Sequence, residues 1–335
     1  MLIPTQMRGK IVGVLGLGKS GLAAAASLLA AGVNVFMADD HNIPKQLPEG
    51  AHLRPWSQWP WAEIDLIVFS PGIAHSYPEP HPAAKLAADH HVAVVSEIEI
   101  AMLAKPSARI VGITGTNGKS TTTALIAHCL NVAGIPAAVG GNIGDTACQM
   151  DDPGPDGVIV LELSSYQLET TPSLRTDMSV VLNISPDHLD RHGGMDGYVE
   201  AKARILKAVD GGGLAILGDG DGYVRSLAMA RAAEGLPVEI ARDNDAPPSI
   251  AACPALTGAH NAENAAAAAL VLRQLGVSTT NIDQGMESFA GLPHRLQHVA
   301  TAGPITFVND SKATNGMAAA RALKACENIY WVAGG

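Results

Sequence analysis

The sequence predicts an α/β protein built from parallel sheets laid down in successive series. Three observations predict it. Continuous Val/Ile runs alternate with helical stretches, as strands covered on both faces require. Two glycine-rich loops, "GVLGLGKSGLAAA" from Gly13 and "GITGTNGKSTTTALIA" from Gly112, each follow an apolar run and open a helix. Strand signals then resume after "GLPHR", Gly291–Arg295.

In the first series, a strand is expected over Lys10–Leu15, a helix over Ser20–Ala31 and a strand over Val33–Ala38. "DLIVFSPG" (Asp65–Gly72) and "HVAVVSEIE" (His91–Glu99) are two more strands, and "AKPSA" (Ala104–Ala108) is a linker. The second series opens with the strand "RIVGITG" and a helix over Lys119–Val132. "GVIVLELSS" (Gly157–Ser165), "MSVVLNIS" (Met178–Ser185), "GGLAIL" and "PVEIA" are its further strands, and "GAHNAENAAAAALVLRQLG" is a helix with a glycine stop. In the third series "ITFVND" and "IYWVAGG" are strands. The expected division is residues 1–104, 105–292 and 293–335. The last is short for a domain and is expected to be the start of one cut short at Gly335.

Composition bounds the function. Of 335 residues, 47 % are hydrophobic and 16 % charged, enough for large buried cores. A net charge of −10 argues against a nucleic-acid or acidic-membrane surface as partner. The alanine-rich stretches are too short to span a bilayer. Cys129, Cys148, Cys253 and Cys326 match no zinc or redox spacing, so buried reduced thiols in a cytosolic protein are expected.

The motifs carry the chemistry. Gly16-Leu17-Gly18-Lys19-Ser20-Gly21 follows a strand and opens a helix, and Asp39 ends the next strand, where an acid commonly meets a ribose hydroxyl. A tight turn without a ligand is the plain alternative. The second loop, Gly115-Thr116-Asn117-Gly118-Lys119-Ser120, ends as phosphate loops do, although Ile113 stands where a glycine begins the usual pattern. Backbone N–H groups and Lys119 suit the β- and γ-phosphates of a nucleotide, and Ser120 suits Mg²⁺. Glu162 ends the strand "VIVLE", a natural place for a Mg²⁺ ligand. "NISPDHLDRH" gathers Asn183, Asp187, His188, Asp190 and His192 at a strand end. Lys202 by itself reads as a solvated helix lysine. Arg295 is placed to cross a cleft to a phosphate. "FVNDSKATN" gives Asp310, Ser311, Lys312, Thr314 and Asn315, which suit either a ligand loop or an ordinary turn.

Taken together, "GITGTNGKST", "LELSSYQLE", "NISPDHLDRH", "HNAENAAAA", "GLPHR" and "FVNDSKATNG" resemble the Mur ligases of peptidoglycan synthesis. "NDSKATN" brings the resemblance nearest to the members that add D-glutamate, and "GLGKSG" suits those or the related members that add L-alanine. It implies a Rossmann-like first domain binding a UDP-sugar, a central phosphate-loop ATPase domain, and the beginning of a C-terminal ligase domain. The implied substrates are UDP-N-acetylmuramoyl-L-alanine, D-glutamate and ATP, joined through an acyl phosphate. The implied ATP contacts are Gly115, Thr116, Asn117, Gly118, Lys119, Ser120, Thr121, Asn264, Arg295 and Asp310. Those for the UDP-sugar are Gly16, Leu17, Gly18, Ser20, Asp39, Ser70, Pro71, Gly72 and Asn142. Asp40 stands where relatives often carry a small hydroxyl residue.

Two Mg²⁺ sites are implied, with Ser120, Glu162, His188 and a carbamylated Lys202 as ligands. Lys119, His188 and Lys202 form the implied catalytic set. The resemblance also implies a cytoplasmic monomer. Because the family's third domain runs past Gly335 and holds D-glutamate, little or no ligase activity is expected of this chain. Rival readings are a folylpolyglutamate synthase or sister Mur ligase, an NAD(P)-dependent oxidoreductase joined to a phosphate-loop domain, and a nucleotide-sensing module.

Overall fold

A computed structural model describes residues 1–324 and 328–334. In chain order, β1 (Ile11–Leu15), α1 (Lys19–Ala30), β2 (Asn34–Ala38), β3 (His52–Leu53), β4 (Leu66–Phe69), α2 (Pro82–Asp89), β5 (Ala93–Val95) and α3 (Glu97–Leu103) come first. They form a five-stranded sheet, order β3-β2-β1-β4-β5, and the β1–β2, β1–β4, β2–β3 and β4–β5 pairs are all parallel. Val12, Val14, Val35, Ile67 and Val68 are buried, the reason these strands read as unbroken apolar runs. The small residues of α1 pack closely on the sheet. A side chain at Gly21 would run into the Gly16 carbonyl oxygen, so the glycine permits the approach of helix to turn.

The next elements are β6 (Arg109–Thr114), α4 (Lys119–Val132), β7 (Ala137–Gly141), β8 (Val158–Glu162), α5 (Ser165–Glu169), β9 (Thr176–Val181), α6 (Met195–Lys207), β10 (Val209–Gly218), α7 (Gly222–Ala233), β11 (Val238–Ala241), α8 (Ala259–Gln274) and α9 (Thr279–Ser288). Their sheet has the order β11-β10-β9-β6-β8-β7, with β8 parallel to both β6 and β7. Last come β12 (Gln297–Ala302), β13 (Ile305–Asn309) and α10 (Gly316–Lys324).

By internal contacts the chain separates into two compact units. The first is Met1–Thr114, Pro136–Val180 and His188–Ala215; the second is Gly115–Ile135, Val181–Asp187 and Ile216–Gly335. The first unit holds the β1 sheet and the strands of β6, β7 and β8. A capping box closes the start of α5: Ser164 accepts from the Gln167 N–H, and the Gln167 side chain accepts from the Ser164 N–H. In the second unit α8 buries Ala265, Ala266, Ala267, Ala268 and Ala269 together.

Three expectations need correction. "HVAVVSEIE" is a strand only over Ala93–Val95. Ser96 then accepts the Glu99 N–H and caps α3, so a hydroxyl at the right offset ends the strand and starts a helix. The third series does not continue the parallel pattern: β12 and β13 pair antiparallel as a hairpin. Ile329–Gly334 carries no strand, and Gly335 lies outside the described residues. Cys129, Cys148 and Cys253 are buried free thiols, and burial pushes Cys129 up to about 12; Cys326 lies outside the described residues. No helix among the described residues is long and apolar enough to cross a membrane.

Candidate nucleotide sites

The first unit carries the glycine turn. The Gly16 N–H donates to the Ala38 carbonyl at 2.9 Å, and Gly18 is the N-cap of α1. Asp39 turns back onto this loop. Its Oδ2 accepts the Leu17 N–H at 2.7 Å, and its Oδ1 accepts the His41 and Asn42 N–H groups at 2.9 and 2.8 Å. Partial burial pushes the Asp39 carboxyl up, but the Leu17, Asn42 and His41 amides outweigh it, so it titrates below its ordinary value. Ser70 Oγ donates to the Gly16 carbonyl at 2.9 Å. Gly16, Leu17, Asp39 and Ser70 are therefore one connected cluster. Gly18 is exposed, and Ser20 is half-buried in the first turn of α1. That turn has no acidic residue and no side-chain cap, which leaves its amides available to an anion. The Gly72 carbonyl, following Pro71, accepts from Arg191 at 3.3 Å.

The second unit carries the phosphate loop, and Asn183 staples it. The Thr116 N–H donates to the Asn183 carbonyl at 2.8 Å, the Asn117 N–H to Asn183 Oδ1 at 2.9 Å, and Asn183 Nδ2 to the Asn117 carbonyl at 3.0 Å. Lys119 Nζ donates to the Gly115 and Thr116 carbonyls at 2.8 and 2.9 Å, which holds its charge over the loop. Gly118 is left-handed (φ 89°), and Asn264 fills the space where a side chain would stand. Arg295 Nη2 donates to Ser120 Oγ at 2.9 Å, and Asp310 Oδ1 accepts the Leu296 N–H at 3.0 Å.

An open cleft lies beside this loop. Asn117, Gly118, Thr121, Asn264, Arg295 and Asp310 line it together. His260, Asn261, Phe289 and Leu292, which the sequence reading did not name as site residues, also line it. Only the periodic spacing of His260, Asn261 and Asn264 along one helix could have pointed to the first two.

Glu162, Lys202 and His188 lie in the first unit. Glu162 ends β8, in register with Ile113 and Gly141. It is 1 % exposed. Asn142 holds it, with its N–H on the Glu162 carbonyl at 2.9 Å and its Nδ2 on Oε1 at 2.7 Å. Glu162 Oε2 has no hydrogen-bond partner among the described residues. A buried carboxylate oxygen left this way fits a divalent cation. Lys202 is also buried, so it is not the solvated helix lysine that its surroundings in the sequence suggest. Its Nζ lies 3.4 Å from Thr114 Oγ1 and 4.8 Å from the Tyr198 ring centre. His188 adopts the left-handed conformation (φ 52°), uncommon for a residue with a side chain. No group of three or more His, Cys, Asp or Glu able to hold a metal occurs among the described residues. A cation here would also need hydroxyl or phosphate oxygens, which is the ordinary way of Mg²⁺.

Beside these residues runs a buried chain that sequence reasoning did not assemble. His192 Nδ1 is 3.0 Å from Glu169 Oε1, and its Nε2 is 2.9 Å from Ser165 Oγ. The His192 ring stacks on Tyr166, and the Arg191 guanidinium lies 4.7 Å from the same Tyr166 ring. Ser70, Pro71, His75, Tyr166 and Arg191 border a smaller, shallow cleft. Burial lowers His75 below the usual histidine value, against the opposing pull of Glu169.

Comparison with known proteins agrees with this geometry. Residues 10–96 match the N-terminal domain of MurD-like Mur ligases, and residues 113–246 match the Mur ligase middle domain. The UDP-N-acetylmuramoylalanine--D-glutamate ligase of Paramagnetospirillum magneticum is 41 % identical over 98 % of this chain and 76 % of its own length. The ligase of the same name from Rhodospirillum rubrum is 40 % identical over 100 % of this chain and 76 % of its own. Among solved structures, the MurF ligase from Thermotoga maritima in complex with ADP superposes with a TM-score of 0.57 at 17 % identity, covering 97 % of this chain and 73 % of that one. At such identity the likeness speaks for the fold. The two matched domains and the near full-length identity establish that the chain belongs to the Mur ligase family, in its MurD-like branch.

Proposed function

We propose that the chain serves the ATP-dependent joining of D-glutamate to UDP-N-acetylmuramoyl-L-alanine. The observation that carries this reading is the convergence of Asn117, Gly118, Asn264, Arg295 and Asp310 on one cleft. These residues come from separate motifs and supply a backbone turn, amide groups and the Arg295 cation, while Phe289, Leu292 and Leu296 add an apolar wall, which together suit a nucleoside triphosphate. The ligase names of the relatives supply the substrates.

In the proposed reaction, a carboxylate oxygen of the L-alanine unit attacks the γ-phosphorus of ATP. The bond to ADP breaks and an acyl phosphate forms. The D-glutamate amine then attacks the acyl carbon, phosphate leaves, and the nitrogen gives up a proton. Positioning and charge neutralisation are the main assistance. Lys119 and Arg295 offset the phosphate charge. Gly16, Leu17, Gly18, Ser20, Asp39, Ser70, Pro71, Gly72 and Asn142 hold the UDP-sugar. Ser120, Glu162 and His188 are the proposed Mg²⁺ ligands, with Lys202 joining them if carbamylated. Bound Mg²⁺ would supply Lewis-acid neutralisation of phosphate oxygens. Carbamylation would turn the buried Lys202 cation into an anion.

A thermal-shift panel tests the reading. UDP-N-acetylmuramoyl-L-alanine and ATP·Mg²⁺ are each expected to raise Tm, since a ligand at about 100 times its Kd stabilises by about 2.7 kcal/mol. NAD(H) is expected to leave Tm unchanged. A shift with NAD(H) alone would overturn the reading in favour of an oxidoreductase.

A further inference from the structure

The residue after Asp39 is the one the family resemblance leaves without an account. Asp40 Oδ1 accepts from Trp56 Nε1 at 2.9 Å, and its Oδ2 is 2.7 Å from His81 Nε2. The His81 tautomer follows from its other nitrogen. His81 is the N-cap of α2, and its Nδ1 accepts the Ala83 N–H at 3.1 Å. A nitrogen that accepts from an amide carries no proton, so the imidazole proton sits on Nε2 and is donated to Asp40. The Trp56 and His81 rings meet edge to face, 5.4 Å apart, and Phe69 meets His81 at 6.1 Å. One carboxylate at the tip of β2 thus ties together the short helical turn of Trp56 and the start of α2.

We propose that Asp40 is a positioning residue of the sugar-nucleotide site: it holds Trp56 and His81 as a fixed aromatic rim beside the glycine turn, and a uridine nucleotide meets that rim, not the Asp40 carboxylate. The inference rests on the reading that the glycine turn and Asp39 hold the nucleoside end of a UDP-sugar. The adjacent Asp39 is occupied in a parallel way by three backbone amides. Asp39 thereby orders the loop it faces and keeps lone pairs for a ligand, while both oxygens of Asp40 are engaged by side chains. Asn at position 40 has one acceptor oxygen for two donors, so either Trp56 or His81 loses its partner. Ala loses both.

The test is titration calorimetry of the intact chain with UDP, with inorganic pyrophosphate, and with ATP·Mg²⁺ as the control for folding. Asp40→Asn, Asp40→Ala, His81→Phe and Trp56→Phe are compared with the unaltered protein. Each is expected to raise the Kd for UDP by about tenfold, the scale of a charge-assisted hydrogen bond lost. Pyrophosphate and ATP·Mg²⁺ are expected to bind as before. Asp40→Asn added to His81→Phe is expected to cost less than it does alone, because that variant has already removed one donor. If the Asp40 variants weaken UDP while His81→Phe and Trp56→Phe do not, Asp40 touches the ligand directly and the positioning role falls. Equal UDP affinity in all variants, or equal losses for all three ligands, also overturns it. A failure of the underlying reading is told apart because the unaltered chain would then bind ATP·Mg²⁺ and no UDP.

Discussion

The Arg295 guanidinium donates to the Ser120 hydroxyl across 175 positions of sequence, at 2.9 Å. The contact puts a permanent cation at the first turn of α4, beside the loop that Lys119 also covers. A helix start carrying two cations is arranged for an anion of high charge.

Gly118 is the position most sensitive to added bulk. Ala there faces two costs, a left-handed backbone and collision with the Asn264 side chain. Gly118→Ala is expected to lower stability by about 1–3 kcal/mol and to weaken ATP·Mg²⁺ by at least about tenfold. Denaturant titration and calorimetry measure the two effects; unchanged values for both would contradict the packing described.

Lys119→Ala removes the charge that bridges the Gly115 and Thr116 carbonyls. The expected loss in ATP affinity is about 10- to 150-fold, the range for a hydrogen bond to a charged group. UDP binding in the same sample is expected to stay within about twofold. Loss of both would show that the loop supports the fold and not the triphosphate alone.

Glu162→Gln probes the metal. The amide oxygen can still accept from Asn142 Nδ2, so local structure is expected to persist. Thermal shifts with ATP in EDTA are expected to match those of the unaltered chain. The further rise on adding Mg²⁺ is expected to shrink. An undiminished rise would remove Glu162 from the proposed ligand set.

Glu97 predicts a pH dependence unrelated to ligands. Its carboxyl is buried and accepts from the Cys148 N–H, while Oε2 has no hydrogen-bond partner among the described residues. Burial pushes it up to about 7, against an ordinary value of 4.5, and the Cys148 and Ala147 hydrogen bonds only partly offset this. Between those two values the folded chain holds a proton that the unfolded chain has lost. Stability from this group is therefore complete below about pH 4.5, falls as pH rises, and is gone above about pH 7. The full swing is of the order of 3 kcal/mol. Glu97→Gln is expected to flatten the fall in Tm between pH 5 and pH 7; an identical fall in both proteins would refute it.

Local pattern made much of this protein legible. The helix Lys119–Val132 is found at its expected ends because a Gly-Lys-Ser start and an apolar periodicity agree there. The glycine turn at Gly16 and Asp39 at the end of the next strand were readable because turns and strand ends carry their own residue signatures, whereas Ser70 came only with the family resemblance. The burial of Lys202 runs against its residue type, which by itself reads as a solvated lysine. Lys202 shares its face of α6 with the buried Tyr198, Ala201 and Ile205, so the helical period turns it inward although an ammonium ordinarily favours water. Asp40 was unreadable, since Trp56 and His81 lie 16 and 41 positions away.

The alternation of strands and helices and the two glycine loops, each between a strand and a helix, are written in the chain's local pattern. Backbone freedom, charge and apolar period act over a few residues, so a linear reading captures them. Tertiary structure alone decided that the exposed Asp40 is engaged by Trp56 and His81, and that Glu162 keeps a buried oxygen with no hydrogen-bond partner among the described residues. It also decided which distant side chains wall the cleft around Asn264. Those outcomes depend on desolvation and hydrogen-bond partners drawn from remote segments, and the fold brings them together only after the local elements exist.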